Sequence, residues 1–318
     1  MPLSEFDLIA RFFAPLATSK AALGLKDDVA LLPPRPGYDL VLTTDAILEG
    51  VDFFARDPPS AIARKVLRVN LSDLAAKGAA PLGYLLTLAL PKSVDAEWLT
   101  AFARGLKADQ RVFGITLLGG DMSSTPGPLT VSVTALGYVP KGKAILRGGA
   151  RIGDRVFVTG TIGDSGGGLA ALKAKRREPF LIGRYRVPRP RMAFGRALRG
   201  LAHAALDVSD GLLADLGHIA EVSKVHIAVE AARVPLSTAL RKAWGDGDDA
   251  ILRAATAGDD YEIAFTAPAT KRAAILKAAK AAGTRVTEIG FVMQGRGAAF
   301  LGAGGKPLQV KKAGWEHF

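Results

Sequence analysis

Short apolar runs of strand character alternate along this chain with segments of helical spacing, and this alternation restricts the fold more than any other feature. The first half contains strand-like runs at 40–44, 82–90, 115–118 and 129–139 and helical segments at 59–77 and 94–113. The second half contains strand-like runs at 155–159, 263–266 and 286–292 and helical segments at 212–222 and 270–282. Alternation of this kind is typical of α/β proteins, so we predict sheets layered with helices.

A turn-rich segment at 140–153 separates the two halves. A chain of 318 residues is long enough for about two domains. We therefore predict two domains, at residues 1–140 and 141–318.

Composition excludes several classes of protein. The chain has no cysteine, which removes disulfides, thiolate metal sites and a thiol nucleophile. No apolar run approaches the roughly 18 residues that a membrane-spanning helix needs, and the amino terminus lacks the basic and apolar pattern of a secretory signal. We expect a cytoplasmic protein that does not associate with membranes.

The net charge of +12 is concentrated in one segment, 173–199, which holds ten Lys or Arg and one acid, Glu178. A solvated basic face, steering of anionic small molecules and nucleic-acid binding are three interpretations of this segment. Three prolines and the absence of a stacking pattern among its aromatic residues argue against nucleic acid. We expect no nucleic-acid partner.

Five short motifs place aspartates in what read as loops beside apolar strands. They are Asp27-Asp28, Thr43-Thr44-Asp45, Ser72-Asp73, Gly119-Gly120-Asp121 and Asp207-Val208-Ser209-Asp210. Short, hard carboxylate ligands suit Mg²⁺, and many such groups share one site only when cations and phosphates join them. The pattern predicts a site that handles metal-bound nucleotide.

Each motif also has a simpler interpretation. Asp27-Asp28 reads as a solvated loop, and Thr43-Thr44-Asp45 as a turn that ends a buried strand. Ser72-Asp73 and Ser209-Asp210 read as caps that open helices. Gly119-Gly120-Asp121 is expected to follow a strand, where its backbone N–H groups and carboxylate could hold a phosphate and its metal.

Other nucleotide and catalytic signatures are absent from the sequence. The glycine-rich segment 160–168 lacks the spacing of a dinucleotide fingerprint, and we predict a turn with close packing there. The chain has no Walker sequence and no protein-kinase motif. Its four histidines lack metal-ligand spacing, and no Ser-His-Asp arrangement is evident.

Taken in order, the motifs resemble the thiamine-monophosphate kinase family, within the superfamily of aminoimidazole-ribonucleotide synthetase. The resemblance runs nearly end to end. Besides the aspartate motifs it includes Glu49-Gly50-Val51, Asn70-Leu71-Ser72-Asp73, Arg147 with Gly149-Ala150, and Asp260-Tyr261-Glu262.

The resemblance implies transfer of the γ-phosphate of ATP to thiamine monophosphate, with several Mg²⁺ ions. It implies an amino-terminal mixed-sheet domain that binds ATP and Mg²⁺ and forms a homodimer, and a second α/β domain that completes the active site. The implied metal ligands are Asp28, Thr43, Thr44, Asp45, Asp73, Asp121, Asp207 and Asp210. The implied ATP contacts are Gly120, Asp121, Arg147 and Ser209, and the implied substrate contacts are Asp52, Asp259 and Trp315. The alternative is another ATP-dependent ligase or synthetase of the same superfamily.

The chemistry of this reaction agrees with the residues. A phosphate acceptor is already ionised at neutral pH, so no catalytic base or nucleophile is expected, and positioning with charge neutralisation is what remains to be supplied. Three positions depart from the family pattern: Lys26 replaces a glycine, Asp52 a histidine and Asp259 a glutamate. We expect a cation beside Asp52, with Arg56 and Lys26 as candidates.

Overall fold

Two β-sheets organise the chain, and each belongs to one of two units. A computed structural model describes residues 4–310 and 312–315. The first unit consists of the chain up to Leu74 together with Ala80–Gly142, and the second of Ala75–Ala79 together with the chain from Lys143 onward. No helix within the described residues combines the length and apolar character required to cross a bilayer.

The first unit is built on a four-stranded mixed sheet. Its elements are α1 (Glu5–Leu8), β1 (Tyr38–Leu48), α2 (Pro59–Ala76), β2 (Ala80–Leu90), α3 (Ala96–Phe113), β3 (Thr116–Ser124) and β4 (Thr130–Pro140). The strand order is β1-β4-β2-β3, so β1 and β3 form the two edges. β4 is antiparallel to β1 and β2, whereas β2 and β3 are parallel.

The two faces of this sheet differ in what covers them. Thr43 on β1 bonds to Asp73 on α2, so α2 lies on the face of the odd-numbered β1 residues. The even-numbered residues point the other way. We call this second side the open face, and it exposes the apolar side chains of Tyr38, Leu40, Leu42 and Leu85.

Three motifs of the first unit occupy positions other than those expected. Thr43-Thr44-Asp45 does not end a strand but lies inside β1, because β1 stays paired with β4 as far as Leu48. Gly119-Gly120-Asp121 lies within β3 rather than after it, since β3 continues to pair with β2 through Ser124. Ser72-Asp73 falls near the end of α2, which begins at Pro59. The helix-cap interpretation of Ser72-Asp73 is therefore wrong.

The second unit contains a six-stranded sheet with helices. Its strands are β5 (Asp154–Thr159), β6 (Ala204–Asp207), β7 (His226–Glu230), β8 (Ile263–Pro268), β9 (Val286–Met293) and β10 (Gly297–Leu301). Its helices are α4 (Asp164–Lys173), α5 (Pro179–Arg186), α6 (Met192–Ala197), α7 (Leu212–Ser223), α8 (Thr238–Trp244), α9 (Asp248–Ala255) and α10 (Arg272–Ala281). The strand order is β10-β7-β9-β5-β8-β6, with β10 and β7 parallel and the other neighbours antiparallel.

The predicted α/β class is confirmed, and the strongly periodic elements appear with small shifts at their ends. Phe102 and Leu106 are buried on one face of α3, where Trp98 stacks on Phe102. Gly114 ends α3 in a left-handed conformation, directly after the helical segment predicted at 94–113. The close packing predicted for 160–168 is also confirmed, because a Cβ on Gly168 would lie 2.1 Å from the carbonyl oxygen of Leu181.

The basic segment 173–199 is only partly a solvated face. Arg184 is buried and Arg191 largely so, and both guanidinium groups bond to the buried carboxylate of Glu262. Burial of a carboxylate requires paired charge, which these two arginines provide. Lys173, Lys175, Arg176 and Arg177 remain exposed.

Candidate active site

In the first unit, candidate metal ligands from β1 and α2 lie together. The Thr43 hydroxyl donates to Oδ2 of Asp73 at 2.5 Å. Asp45 lies two residues along β1 on the same face as Thr43. The Asp45 carboxylate is close enough to Asp73 and Asp52 for both charges to act on it. Three carboxylates and a hydroxyl thus converge although they are separated by up to thirty residues in the chain.

The electrostatics of this group call for a cation. Burial, followed by the charges of Asp73 and Asp52, raises the pKa of Asp45 to about 7. Like charges held this close disfavour ionisation unless a positive ion compensates them. Carboxylate and hydroxyl oxygens are the hard ligands that Mg²⁺ prefers. The donor set of Thr43, Asp45 and Asp73 therefore fits Mg²⁺.

Asp52 is held at the end of a tight turn beside this group. Its Oδ2 accepts the backbone N–H of Leu48 at 2.8 Å. The ammonium group of Lys65, a buried residue of α2, donates to the backbone carbonyl of Asp52 at 2.7 Å. Sequence reasoning missed Lys65, because only the folding of α2 against β1 brings residues 52 and 65 together. A cation at the Asp52 carboxylate itself stays a prediction.

Asp121 lies far from the Thr43–Asp45–Asp73 group within this unit. Asp45 pairs with Val133, Val133 with Leu86, and Leu86 with Gly120, so Gly120 lies straight across the sheet from Asp45. Three strand spacings of about 4.8 Å separate these edges, about 14 Å in all. Asp121 pairs with the exposed Thr87 and is itself exposed. Its side chain points to the open face.

Gly120 has a packing reason to be glycine. A Cβ at this position would lie 1.9 Å from the carbonyl oxygen of Leu86 on the neighbouring strand.

Thr44 also faces the open side, and its hydroxyl donates to the Val133 carbonyl while accepting from Thr134. Asp28 lies on an exposed segment before β1.

In the second unit, the loop after β6 carries three candidate residues and pairs with a second loop. Asp207 ends β6, and Ser209 and Asp210 follow it. The carbonyl of Ser209 accepts the N–H of Asp259 at 2.7 Å, and the carbonyl of Val208 accepts that of Tyr261 at 2.8 Å. The two segments therefore lie side by side.

Trp315 joins the same loop from the carboxyl-terminal end of the described chain. Its backbone N–H donates to the carbonyl of Asp210 at 2.8 Å, and its side chain is 54% exposed. Arg147 is exposed and lies beside the start of β6, since Leu146 accepts the N–H of Ala205. Asp207 lies at the other end of that strand, about 10 Å away, so Arg147 is at the opposite end of β6 from the loop. The residues that the structure brings together at the loop are Asp207, Ser209, Asp210, Asp259 and Trp315.

Two residues that sequence reasoning passed over adjoin this loop. Oδ2 of Asp215 accepts the N–H groups of Asp210 and Gly211, both at 3.1 Å, and so fixes the loop at the start of α7. His218 follows one helical turn later, and ligand atoms of Asp210, Asp215 and His218 lie within 4.8 Å of one another. Burial and the Asp210 charge raise the pKa of Asp215 to about 7. The helical spacing of Asp215 and His218 was the signal available in the sequence.

Comparison with known families gives a consistent assignment. Residues 26–139 match the family model described as AIR synthase related protein, N-terminal domain, and residues 151–301 match its C-terminal counterpart. A thiamine-monophosphate kinase of Caulobacter vibrioides is 46% identical over 99% of this chain and 91% of its own length.

Solved structures agree. The crystal structure of thiamine-monophosphate kinase from Stenotrophomonas maltophilia K279a has a TM-score of 0.86 and 41% identity, covering 97% of this chain and 99% of its own. A structure of AaThiL complexed with AMPPCP and TMP has a TM-score of 0.78 and 33% identity, covering 100% and 99%. This chain therefore belongs to the thiamine-monophosphate kinase family.

Proposed function

We propose that this enzyme transfers the γ-phosphate of ATP to thiamine monophosphate, producing thiamine diphosphate and ADP. The observation that carries the proposal is the convergence of Thr43, Asp45 and Asp73 with a pKa of about 7 at Asp45. Such a group is unfavourable alone and would become favourable with Mg²⁺ and phosphates bound beside it, because the cations would supply the compensating charge. The AaThiL complex with AMPPCP and TMP supports ATP and thiamine monophosphate as the pair of substrates.

Several Mg²⁺ ions complete the proposed site. Asp28, Thr43, Thr44, Asp45, Asp73, Asp121, Asp207 and Asp210 are the proposed ligands. Bound Mg²⁺ supplies neutralisation of the polyphosphate charge and of the charge that develops during transfer. Gly120, Arg147 and Ser209 are assigned to ATP, with Arg147 offering a bidentate phosphate contact.

The residues of the chain position the reactants and take no proton. The acceptor phosphate oxygen is ionised at neutral pH, so transfer proceeds directly and in line without a general base. Thr43 and Lys65 hold the carboxylate group and the Asp52 turn in place. Asp259 supplies negative charge to the thiazolium ring of the substrate, and Trp315 offers an exposed ring for stacking.

We further propose that the active form is a homodimer. Asp121 and Asp45 lie at opposite edges of one sheet, so one subunit does not supply both to a single ion. A second copy docked on the open face would bring Asp121 of one copy toward the β1 edge of the other, the strand that carries both Thr44 and Asp45. That face exposes Leu40, Leu42 and Leu85, apolar surface that dimerisation would bury. Because its co-substrate is ATP, we assign the enzyme to the cytoplasm.

Incubation with Mg-ATP and thiamine monophosphate, followed by chromatography, tests the assignment. We expect thiamine diphosphate and ADP in equal amounts, and neither in the presence of EDTA. ADP formation without thiamine diphosphate would instead favour another ATP-dependent reaction of the superfamily.

A further inference from the structure

The turn that carries Asp259 has an unusual backbone. Asp259 and Tyr261 both adopt left-handed conformations, with φ of 61° and 51°. Gly258, which precedes Asp259, also has a positive φ, of 74°. Non-glycine residues adopt this region at a cost, of order 1 kcal/mol or more each. Surrounding structure must therefore hold the turn in this shape.

Two buried carboxylates supply that constraint. Asp260 is 1% exposed, and its Oδ2 accepts the N–H of Gly163 at 2.7 Å. Glu262, fully buried, accepts from Arg184 at 2.8 Å and from Thr159 at 2.7 Å, and Arg191 pairs with it as well. Asp260 and Glu262 thus anchor alternate positions of the segment, while Asp259 and Tyr261 stay partly exposed.

The curled backbone brings the two outer side chains into contact. The hydroxyl of Tyr261 donates to Oδ1 of Asp259 at 3.1 Å. In extended backbone, side chains two residues apart stand about 7 Å from each other. Here the left-handed residues shorten that separation, so one carboxylate oxygen of Asp259 is fixed by a phenol.

This carboxylate and the Trp315 indole are attached to one loop. The backbone N–H of Asp259 donates to the carbonyl of Ser209. The backbone N–H of Trp315 donates to the carbonyl of Asp210, the next residue of the loop. A carboxylate and an exposed indole anchored at adjacent carbonyls suit a flat aromatic cation, which gains from both negative charge and a π face.

We propose that Tyr261 is a positioning residue that fixes the Asp259 carboxylate for the aromatic cation of the substrate. This inference rests on the proposed function, in which that cation is the thiazolium of thiamine monophosphate. With Oδ1 engaged by the phenol, rotation of the carboxylate is restricted and Oδ2 is presented in one orientation. Less rotational freedom is then lost when the substrate binds.

The test measures binding and turnover separately in Tyr261→Phe, Asp259→Asn and the double variant. Titration calorimetry gives the Kd of thiamine monophosphate in the presence of Mg-AMPPCP and, separately, the Kd of Mg-AMPPCP. We expect Tyr261→Phe to weaken thiamine monophosphate binding about fivefold, the scale of one ordinary hydrogen bond, because the lost bond acts on the substrate only through Asp259. We expect KM to rise by the same factor with kcat and the Mg-AMPPCP Kd nearly unchanged.

The binding affinity of the double variant shows whether Tyr261 acts through Asp259. If Tyr261 acts through Asp259, the double variant binds thiamine monophosphate no more weakly than Asp259→Asn alone. Tyr84→Phe is the matched control, because it removes a tyrosine hydroxyl that accepts from Gln110 in the core of the first unit. We expect that variant to retain the wild-type Kd.

Unchanged affinity in Tyr261→Phe, or full additivity in the double variant, would overturn the inference while wild-type turnover keeps the proposed function intact. A wild-type protein that makes no thiamine diphosphate would overturn both.

Discussion

The hydroxyl of Thr43 on β1 donates a 2.5 Å hydrogen bond to Oδ2 of Asp73 on α2. This bond joins two residues that sequence reasoning assigned to one metal site, and it does so between two different elements. Asp73 lies within a helix and not at its start, so its carboxylate has no capping role. The pairing explains how a strand and a helix present oxygen ligands to the same point.

Replacing Asp73 or Asp210 by Asn is expected to abolish activity without unfolding the protein. Each change removes a charge while keeping an oxygen of similar shape, and the amide oxygen of the Asp73→Asn variant could still accept from Thr43. We expect turnover to fall roughly a hundredfold or more and the Tm to change by no more than about 2 °C. Asp246→Asn, at a side chain that is 72% exposed, is the control. Wild-type turnover in both site variants would contradict the assignment of these residues.

Asp45→Asn is expected to stabilise the metal-free protein at neutral pH. The pKa of Asp45 is about 7 in the folded state, above the roughly 3.9 of an unfolded chain. The folded state therefore favours the protonated form, and the stability this group contributes at low pH is lost as pH rises toward 7. In EDTA, the Tm of the variant should exceed that of wild type by about 2–5 °C at pH 8 and match it near pH 4.

Addition of Mg²⁺ at pH 8 should instead give wild type the higher Tm, because only wild type keeps all the carboxylates whose charge the ion compensates. Equal pH dependence of the two proteins in EDTA would contradict the raised pKa.

Subunit mixing tests whether two copies share a site. Asp45→Asn and Asp121→Asn are each expected to be inactive as homodimers. Co-expressed with different tags, they should recover about a quarter of wild-type activity, because half of random dimers are mixed and each mixed dimer has one intact site. Asp45→Asn mixed with Asp73→Asn is the control and should recover nothing, since those residues lie on one subunit. No recovery in the first pair would contradict the shared site.

Glu262→Gln is expected to destabilise the second unit. The change removes the carboxylate that pairs with both Arg184 and Arg191 in a buried position, and leaves Arg184 only the more distant Asp164 at 3.9 Å. Removing one member of a buried ion network costs about 3–5 kcal/mol, which corresponds to a loss of about 10 °C in Tm. Glu288→Gln, which removes the carboxylate that pairs with the well-exposed side chains of Arg155 and Arg272, should change the Tm by no more than about 2 °C. Similar Tm values for the two variants would contradict a structural role for the network.

Direct transfer predicts that no phosphoenzyme forms. With ATP labelled in the γ-phosphate and no thiamine monophosphate present, we expect no label on denatured protein. Initial rates should follow a sequential pattern in which both substrates bind before ADP leaves. A ping-pong pattern or trapped label would contradict in-line transfer.

Local patterns in the sequence were enough to predict the α/β class and the periodic elements. The apolar residues on one face of α2 and of α3 repeat every three to four positions. A glycine directly after such a repeat commonly ends the helix, as Gly114 does for α3. The order of the aspartate motifs was also enough to identify the family, because the type and spacing of these residues are written in the chain itself.

Only the tertiary structure decided where those aspartates point and which of them meet. A one-residue step along β1 turns Thr44 to the open face while Thr43 and Asp45 face α2. The position of Asp121 across the sheet follows from strand order, which depends on pairing between segments distant in sequence. The burial of Arg184 against Glu262 and the contact of Tyr261 with Asp259 arise in the same way. These relationships depend on non-local packing and on uncommon backbone angles, and neither leaves a periodic signal in the sequence.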